Sequence, residues 1–297
     1  MVQKSALDKL YIKNEEVTSM FRKRNNSQAV KYGTFGGENG IPFAKIGNGE
    51  KIMLIAIGGP GNTIEKGLGL SMYSNPFKSF RDQYTQYIIS RKSALPKGYT
   101  IEDMADDYAE LITNHFQGSV DIIIGISFGG MILTEFCSKY PHLAKKIVIV
   151  VAAHKITPEG MKVDTEYAKL MAEGKNARAM AKFAPVLTQN FIILPFLKGL
   201  LFCAGLFMKP AKSQIFASDI VIEAETQLTY DSSESLRNLT TPIWVLAGSQ
   251  DYYFPVELFH EMTKLSKYVN MTIFPKAGHN LMAKKGFIEE LSKILAD

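Results

Sequence analysis

The sequence predicts an α/β protein with a mostly parallel central sheet, helices on both faces of the sheet and one helical insertion. Residues 122–124 and 145–153 form near-continuous apolar runs, which are typical of strands buried on both faces. Helical patterns alternate with such strands, as they do in parallel sheets that are covered on both sides. Because the alternation stops after the second run, we expect an inserted segment at residues 154–230 and a core of residues 1–153 and 231–297.

Further strands are indicated by short segments rich in β-branched and aromatic residues. These segments are residues 31–35, 41–46, 51–57, 83–90, 243–247 and 271–274. Glycine-rich turns separate the first three, which predicts an antiparallel opening to the sheet. Thr100 and Asp103 have the spacing of a capping box and predict the start of a helix that ends near His115.

The composition is that of a globular protein, with 46% hydrophobic and 21% charged residues in a chain of 297. Cys137 and Cys203 lack the spacing of a metal site, and we expect both to be small buried hydrophobic residues in a reducing compartment. The N-terminus lacks the apolar core of a secretory signal, so the cytoplasm is the expected location. We expect no metal, no cofactor and no nucleic-acid partner.

One apolar run leads into Gly125-Ile126-Ser127-Phe128-Gly129, and a helical pattern follows. This order predicts a strand, a sharp turn with Ser127 at its apex, and a helix. Gly125 and Gly129 suit such a turn, because a side chain two positions from the serine would collide with the strand or the helix. The helix start favours negative charge, so Ser127 is a candidate nucleophile for acyl transfer. The alternative is a turn whose glycines only ease packing.

A serine nucleophile needs a base, usually a histidine held by a carboxylate. His279 follows the strand predicted at residues 271–274, and Asp251 follows the one at residues 243–247. If these strands are parallel, both side chains lie at the same edge of the sheet as Ser127. Other histidines and aspartates are less suitable, because they lie at helix ends, directly after a strand, within a helix or without a preceding strand. These are His115, His142, His154, His260, Asp219 and Asp231.

The charge that develops on a reacting carbonyl oxygen needs two hydrogen-bond donors. One candidate is the N–H of Phe128, and the other comes from residues 58–61, which we call the glycine loop. Pro60 has no N–H, which leaves Gly59 as the donor and the Asn62 side chain as a supplement. The alternative is an ordinary glycine-rich turn after a strand. A phosphate-binding loop is disfavoured, because no phosphate-binding sequence pattern is present there.

In these features the chain resembles the α/β-hydrolase superfamily over nearly its whole length, from about Val30 onward. The resemblance lies in the Gly-x-Ser-x-Gly motif, in the order Ser127, Asp251, His279, and in the position of the insertion. It implies hydrolysis of an ester, thioester, amide or C–C bond without a cofactor. Members commonly carry a histidine just before the glycine loop, where this chain has Ile57. Arg91 either braces that loop or lies on the surface, and we expect the surface position.

The insertion contains an apolar stretch that begins with Phe191 and ends with Met208. We expect no transmembrane span, because the stretch contains a proline, a lysine and two glycines, and a crossing would separate Ser127 from His279. Instead we interpret residues 154–230 as a helical lid over an apolar or aromatic small-molecule substrate. The lid is basic, with nine Lys or Arg and four acids in residues 155–212. This excess of positive charge either lies on an ordinary solvated face or attracts a substrate carboxylate or an anionic membrane.

The sequence therefore predicts a serine hydrolase that acts on carboxylic esters through an acyl-enzyme. C–C bond hydrolysis and aminopeptidase action are alternatives on the same fold. A non-catalytic protein that binds an apolar ligand is the alternative of a different class.

Overall fold

The computed structural model describes residues 29–208 and 213–296. Within them one sheet contains eight strands: β1 (Lys31–Phe35), β2 (Ile41–Ile46), β3 (Lys51–Ala56), β4 (Tyr84–Ile89), β5 (Val120–Ile126), β6 (Ala144–Val150), β7 (Ile243–Gly248) and β8 (Val269–Phe274). Their order in the sheet is β1-β2-β4-β3-β5-β6-β7-β8. From β4 to β8 in this order every neighbouring pair is parallel, which confirms the mostly parallel sheet.

The opening of the sheet differs in one respect from the sequence prediction. β1 and β2 are antiparallel as expected, and β2 is antiparallel to β4. β3 does not join this antiparallel part, because β4 lies between β2 and β3 and runs parallel to β3. The chain therefore crosses over between β3 and β4, a connection that the short turns before β3 do not reveal.

The helices are α1 (Leu68–Ser74), α2 (Ile101–His115), α3 (Phe128–Lys139), α4 (Pro158–Ala172), α5 (Asn176–Lys182), α6 (Ala184–Leu187), α7 (Ile193–Leu206), α8 (Gln214–Glu225), α9 (Ser233–Arg237), α10 (Val256–Leu265) and α11 (Phe287–Ala296). Two apolar clusters cover the two faces of the sheet. One contains residues of α2, α3, α9 and α10, and the other contains residues of α1 and α11. The predicted capping box is present at the start of α2, where Thr100 and Asp103 exchange side-chain to backbone hydrogen bonds.

Helices α4 to α8 lie between β6 and β7 and have a small apolar core of their own. In this core α4 packs against α8, and α5 packs against both α4 and α7. Among the residues with described positions, no helix combines the length and the apolar character needed to cross a bilayer.

The two cysteines have different environments. Cys137 is buried in α3 as predicted, and burial raises the pKa of its thiol far above the ordinary value. Cys203 lies in α7 and is exposed, so its predicted burial is wrong. The prediction failed because the apolar composition of α7 suggested an inward-facing helix, whereas most of α7 faces outward.

Candidate active site

Ser127 occupies a strained turn between β5 and α3. Its φ of 52° and ψ of −117° lie outside the regions that residues with a side chain ordinarily adopt. The two glycines of the motif are required by close packing. A Cβ added at Gly125 would lie 2.5 Å from the carbonyl oxygen of Gly129, and one at Gly129 would lie 2.4 Å from that of Ala56. Since β3 and α3 approach the turn this closely, the serine is held at its apex.

The three predicted side chains meet at the edge of the sheet where β5, β7 and β8 end. His279 Nε2 lies 2.9 Å from Ser127 Oγ. On the other side of the ring, His279 Nδ1 lies 2.9 Å from Asp251 Oδ2. These are ordinary hydrogen-bond distances, and they link hydroxyl, imidazole and carboxylate in one line. We call this arrangement the Ser–His–Asp array.

Asp251 and His279 are fixed by their own loops. Asp251 is buried, and its Oδ1 accepts hydrogen bonds from the backbone N–H groups of Tyr253 and Phe254. The two loops are joined where the N–H of Gln250 donates to the carbonyl of Ala277. The rings of Tyr253 and Phe254 flank the imidazole, with centroids 4.8 and 6.1 Å from that of His279. The His279 side chain retains 16% exposure, so a substrate and water can reach it.

The rival residues lie elsewhere. His115, His142 and His260 are exposed, and His154 is buried beside Glu261. Asp231 pairs with Lys155, and Asp219 binds backbone and amide groups near the glycine loop.

The glycine loop lies directly against Ser127. A Cβ added at Gly58 would lie 2.7 Å from Ser127 Cβ, so a larger residue would displace the serine or the loop. Gly59 has a φ of +74°, a conformation that residues with a side chain rarely adopt. Among the described residues no backbone oxygen accepts from the N–H of Gly59 or of Phe128. Both predicted donors are thus uncommitted, on chain segments that adjoin Ser127.

Arg91 braces the glycine loop, and the expected surface position is wrong. Its side chain is fully buried, and its guanidinium donates to the carbonyl oxygens of Ile57, Gly59 and Gly61 at 2.7 to 3.0 Å. The same group forms a bidentate ion pair with Glu223, which is also fully buried. Burial alone would lower the pKa of Arg91, but the Glu223 charge and its hydrogen bonds outweigh burial and raise that pKa.

Helix α8 supplies the acids of this brace. Glu223 also accepts a hydrogen bond from the N–H of Gly61. One turn earlier, Asp219 accepts from the Asn62 side chain at 2.8 Å and from the N–H groups of Ala94 and Leu95. Because the Asn62 amide also donates to the carbonyl of Lys92, its donors are in use, and it does not serve as the expected oxyanion supplement.

Sequence reasoning did not favour the bracing position of Arg91 and missed the supporting role of the two acids, although a signal exists. Asp219 and Glu223 are two acids spaced four residues apart in an otherwise largely apolar helix, so they share one face. Arg91 directly follows a strand, at the same sheet edge as Ser127. Buried acids on one element and a cation at a sheet edge together indicate an ion pair.

A further acid lies beside the Ser–His–Asp array. Asp164, in α4, is buried, and its Oδ1 accepts a hydrogen bond of 2.6 Å from the hydroxyl of Tyr253. Burial raises the pKa of Asp164 to about 6, although hydrogen bonds from Tyr253 and Gln227 and the charge of His279 oppose the rise. Within residues 29–208 and 213–296 no three His, Cys, Asp or Glu side chains are grouped as metal ligands are.

Comparisons with known proteins identify the fold and the family of the chain. The model of the alpha/beta hydrolase family matches residues 67–285. No curated protein sequence matches the chain significantly. Similar solved structures include MGS-M2, an alpha/beta hydrolase enzyme from a Medee basin deep-sea metagenome library, with 16% identity, a TM-score of 0.68, and 89% of this chain and 95% of that chain covered.

Two further solved structures are similar at comparable levels. The esterase EaEST from Exiguobacterium antarcticum has 14% identity and a TM-score of 0.68, with 91% of this chain and 100% of that chain covered. E-2-(acetamidomethylene)succinate hydrolase has 15% identity and a TM-score of 0.67, with 91% and 99% covered. At these identities the likeness concerns the fold, whereas the family model spans well over half of the chain. The chain therefore belongs to the alpha/beta hydrolase family.

Proposed function

We propose that this protein is a serine hydrolase that cleaves carboxylic esters through an acyl-enzyme. The observation that carries the proposal is the hydrogen-bonded line from Ser127 through His279 to Asp251, with 2.9 Å on each side of the imidazole. Ser127 acts as nucleophile, His279 as general base and acid, and Asp251 fixes the imidazole tautomer and stabilises the imidazolium.

In the first half of the reaction, His279 Nε2 takes the hydroxyl proton of Ser127 while Oγ attacks the ester carbonyl carbon. The oxyanion that forms is bound by the N–H groups of Phe128 and Gly59, and the helix start favours its charge. His279 then gives the proton to the departing alkoxide, which leaves as an alcohol. In the second half, water loses a proton to His279 and attacks the acyl carbon. The bond to Ser127 Oγ then breaks, His279 returns the proton to that oxygen, and the carboxylic acid leaves.

The brace from Arg91 and Glu223 supports the oxyanion site. The guanidinium binds the carbonyl oxygens of Ile57, Gly59 and Gly61, so these oxygens are engaged and the loop is held beside Ser127. We assign to this ion pair the support of the glycine loop, which the resemblance would otherwise place on a histidine at the Ile57 position. Helices α4 to α8 form the lid over an apolar or aromatic small-molecule substrate.

A fluorophosphonate probe together with a panel of esters of increasing acyl length tests the proposal. Wild-type protein should be labelled at Ser127 and should hydrolyse at least one ester. Ser127→Ala should abolish labelling, and either Ser127→Ala or His279→Ala should lower kcat by about four orders of magnitude or more.

Matched controls are Ser292→Ala and His260→Ala, which change an exposed serine and an exposed histidine in α11 and α10. Both should retain wild-type labelling and turnover. Unlabelled wild-type protein with a folded core would instead favour the non-catalytic binding protein, and ester turnover unaffected by Ser127→Ala would refute the assignment.

A further inference from the structure

Most apolar side chains of helix α7 are exposed in the part of the chain that the structure describes. Phe196 and Leu200, on the helix, are 77% and 58% exposed. Phe191 before the helix and Phe207 after it are 82% and 89% exposed. Soluble monomers rarely expose contiguous apolar patches larger than a few hundred Å², and larger ones mark protein or membrane contacts.

The contact of α7 with the rest of the chain is a narrow stripe. Leu194, Leu197 and Leu201 are partly buried, and Gly205 is buried against α5. A Cβ at Gly205 would lie 2.6 Å from Ala177 Cα, so the two helix backbones nearly touch there. Apart from Lys198, the other faces of α7 are also apolar, and a helix that is apolar all round is ordinarily buried on all sides.

The length of α7 restricts what can cover it. Its 14 residues span roughly 21 Å at about 1.5 Å per residue, which is shorter than the ~30 Å hydrocarbon core of a bilayer. A helix of this length can lie in the interface of a membrane, with its apolar side among the acyl chains, but it cannot cross.

Cations lie beside the apolar patch. Phe202 of α7 shares a groove of about 500 Å³ with three cations and one acid of α4 and α5, which are Lys169, Arg178, Lys182 and Glu166. Lys182 pairs with Glu166, whereas Lys169 and Arg178 form no ion pair with any residue that the structure describes. Lys198 lies on α7 itself and is exposed. An apolar helix bordered by unpaired cations complements a surface of acyl chains and anionic headgroups.

We propose that α7, its flanking residues 191 and 207, and the adjoining cations form a docking surface for an anionic lipid membrane. The apolar side chains enter the acyl boundary, and Lys169, Arg178 and Lys198 face lipid phosphates or carboxylates. This proposal does not depend on the proposed catalysis, and the experiment below can be repeated on Ser127→Ala protein, so the two can fail separately.

The chain provides its own probe for the test, because exposed Cys203 lies on α7 and the only other cysteine is buried. Full-length protein labelled at Cys203 with an environment-sensitive fluorophore is mixed with phosphatidylcholine vesicles, with or without phosphatidylserine. We expect a blue shift and co-sedimentation with the anionic vesicles, weakened at high salt.

Substitutions separate the two parts of the surface. Phe196→Ser with Leu200→Ser should reduce vesicle binding at least tenfold, and Lys169→Gln with Arg178→Gln should reduce it severalfold for anionic vesicles only. The matched apolar control is Leu68→Ser with Met72→Ser, which changes two exposed residues of α1, and the matched charge control is Lys285→Gln. Both controls should bind as wild type does.

Three results would overturn the proposal. The first is that wild-type protein does not bind anionic vesicles, or that the Phe196→Ser with Leu200→Ser variant binds them as well as wild type does. The second is a blue shift without vesicles that grows with protein concentration, which would assign the patch to a second copy of the chain. The third is a blue shift without vesicles that disappears when residues 1–28 are removed, which would assign it to that segment.

Discussion

Helices α7 and α8 lie in the same segment and are both largely apolar, yet they make opposite use of their side chains. Helix α8 turns two carboxylates inward, where Asp219 and Glu223 are almost completely buried and bonded to the glycine loop and its neighbours. Helix α7 turns phenylalanines outward, and its buried contact is the stripe on α5. The helices between β6 and β7 therefore have different structural roles. Helix α8 supports the candidate active site, whereas α7 contacts α5 and faces outward.

The largest expected effect is on the α8 side of this comparison. Arg91→Met leaves Glu223 buried without its partner, and we expect a loss of roughly 3–5 kcal/mol in the free energy of unfolding. The glycine loop also loses its brace, so kcat for an ester should fall by about 10²–10³, as when an oxyanion donor is lost. Urea unfolding and steady-state kinetics measure the two quantities.

The double variant Arg91→Met with Glu223→Leu separates stability from positioning. Replacing a buried ion pair by apolar residues is often nearly neutral, so most of the stability should return. The loop carbonyls remain without a donor, so kcat should stay low. If kcat returns with stability, the pair only stabilises the fold. Lys92→Met is the matched control, because the pair of Lys92 with Asp107 is partly exposed and is worth about 1 kcal/mol or less.

A second prediction concerns Asp164, which connects α4 to the loop of Asp251. Its pKa rises from an ordinary value of 3.8 to about 6 in the folded protein. Between these values the folded state keeps a proton that the unfolded state has released, so this group lowers the free energy of unfolding as the pH rises. The full loss is about 3 kcal/mol, at about 1.4 kcal/mol for each pKa unit.

Asp164→Asn removes this titration. The variant should therefore gain stability relative to wild type between pH 4 and pH 7.5, by up to about 3 kcal/mol. Urea unfolding of both proteins at several pH values measures the difference between their free energies of unfolding. The contributions of the other acids are the same in both proteins and cancel in this difference. A difference that does not change with pH would show that Asp164 stays in one protonation state over this range.

The smallest effect is expected in α7, where two glycines give a matched pair. A Cβ at Gly205 would meet the backbone of α5, so Gly205→Ala should destabilise the protein by roughly 1–3 kcal/mol. A Cβ at Gly199 meets nothing within 4 Å, so Gly199→Ala should stabilise it by about 0.5–1 kcal/mol through helix propensity. Thermal unfolding distinguishes the two signs. Equal effects would mean that α7 does not depend on its stripe on α5.

The fold and the Ser–His–Asp array could be predicted from the sequence because they depend on local patterns. Buried parallel strands are recognisable as apolar runs, and residues that follow such strands reach one edge of the sheet. This placed Ser127, Asp251 and His279 together although they are far apart in the chain. The crossover that puts β4 between β2 and β3 was missed, since neighbours in sequence need not be neighbours in a sheet.

The supporting residues could not be placed in the same way. Whether Arg91 is buried depends on Glu223, which lies 132 positions later in the chain. The sequence does not show which way the helix that carries Glu223 faces. The exposure of Cys203 likewise depends on which side of α7 meets α5, and apolar composition alone does not give the side. Partners distant in the chain decide the burial of a charge, and packing decides the face of an apolar helix.

The ion pair between Arg91 and Glu223 restricts how chimeras of this protein can be made. Exchanging the segment between β6 and β7 for that of a relative is an attractive way to change substrate preference. A graft that replaces α8 would sever the ion pair and release the glycine loop, whatever the merits of the new helices. A functional chimera should therefore place its second junction before residue 214 and keep the native helix that carries both carboxylates.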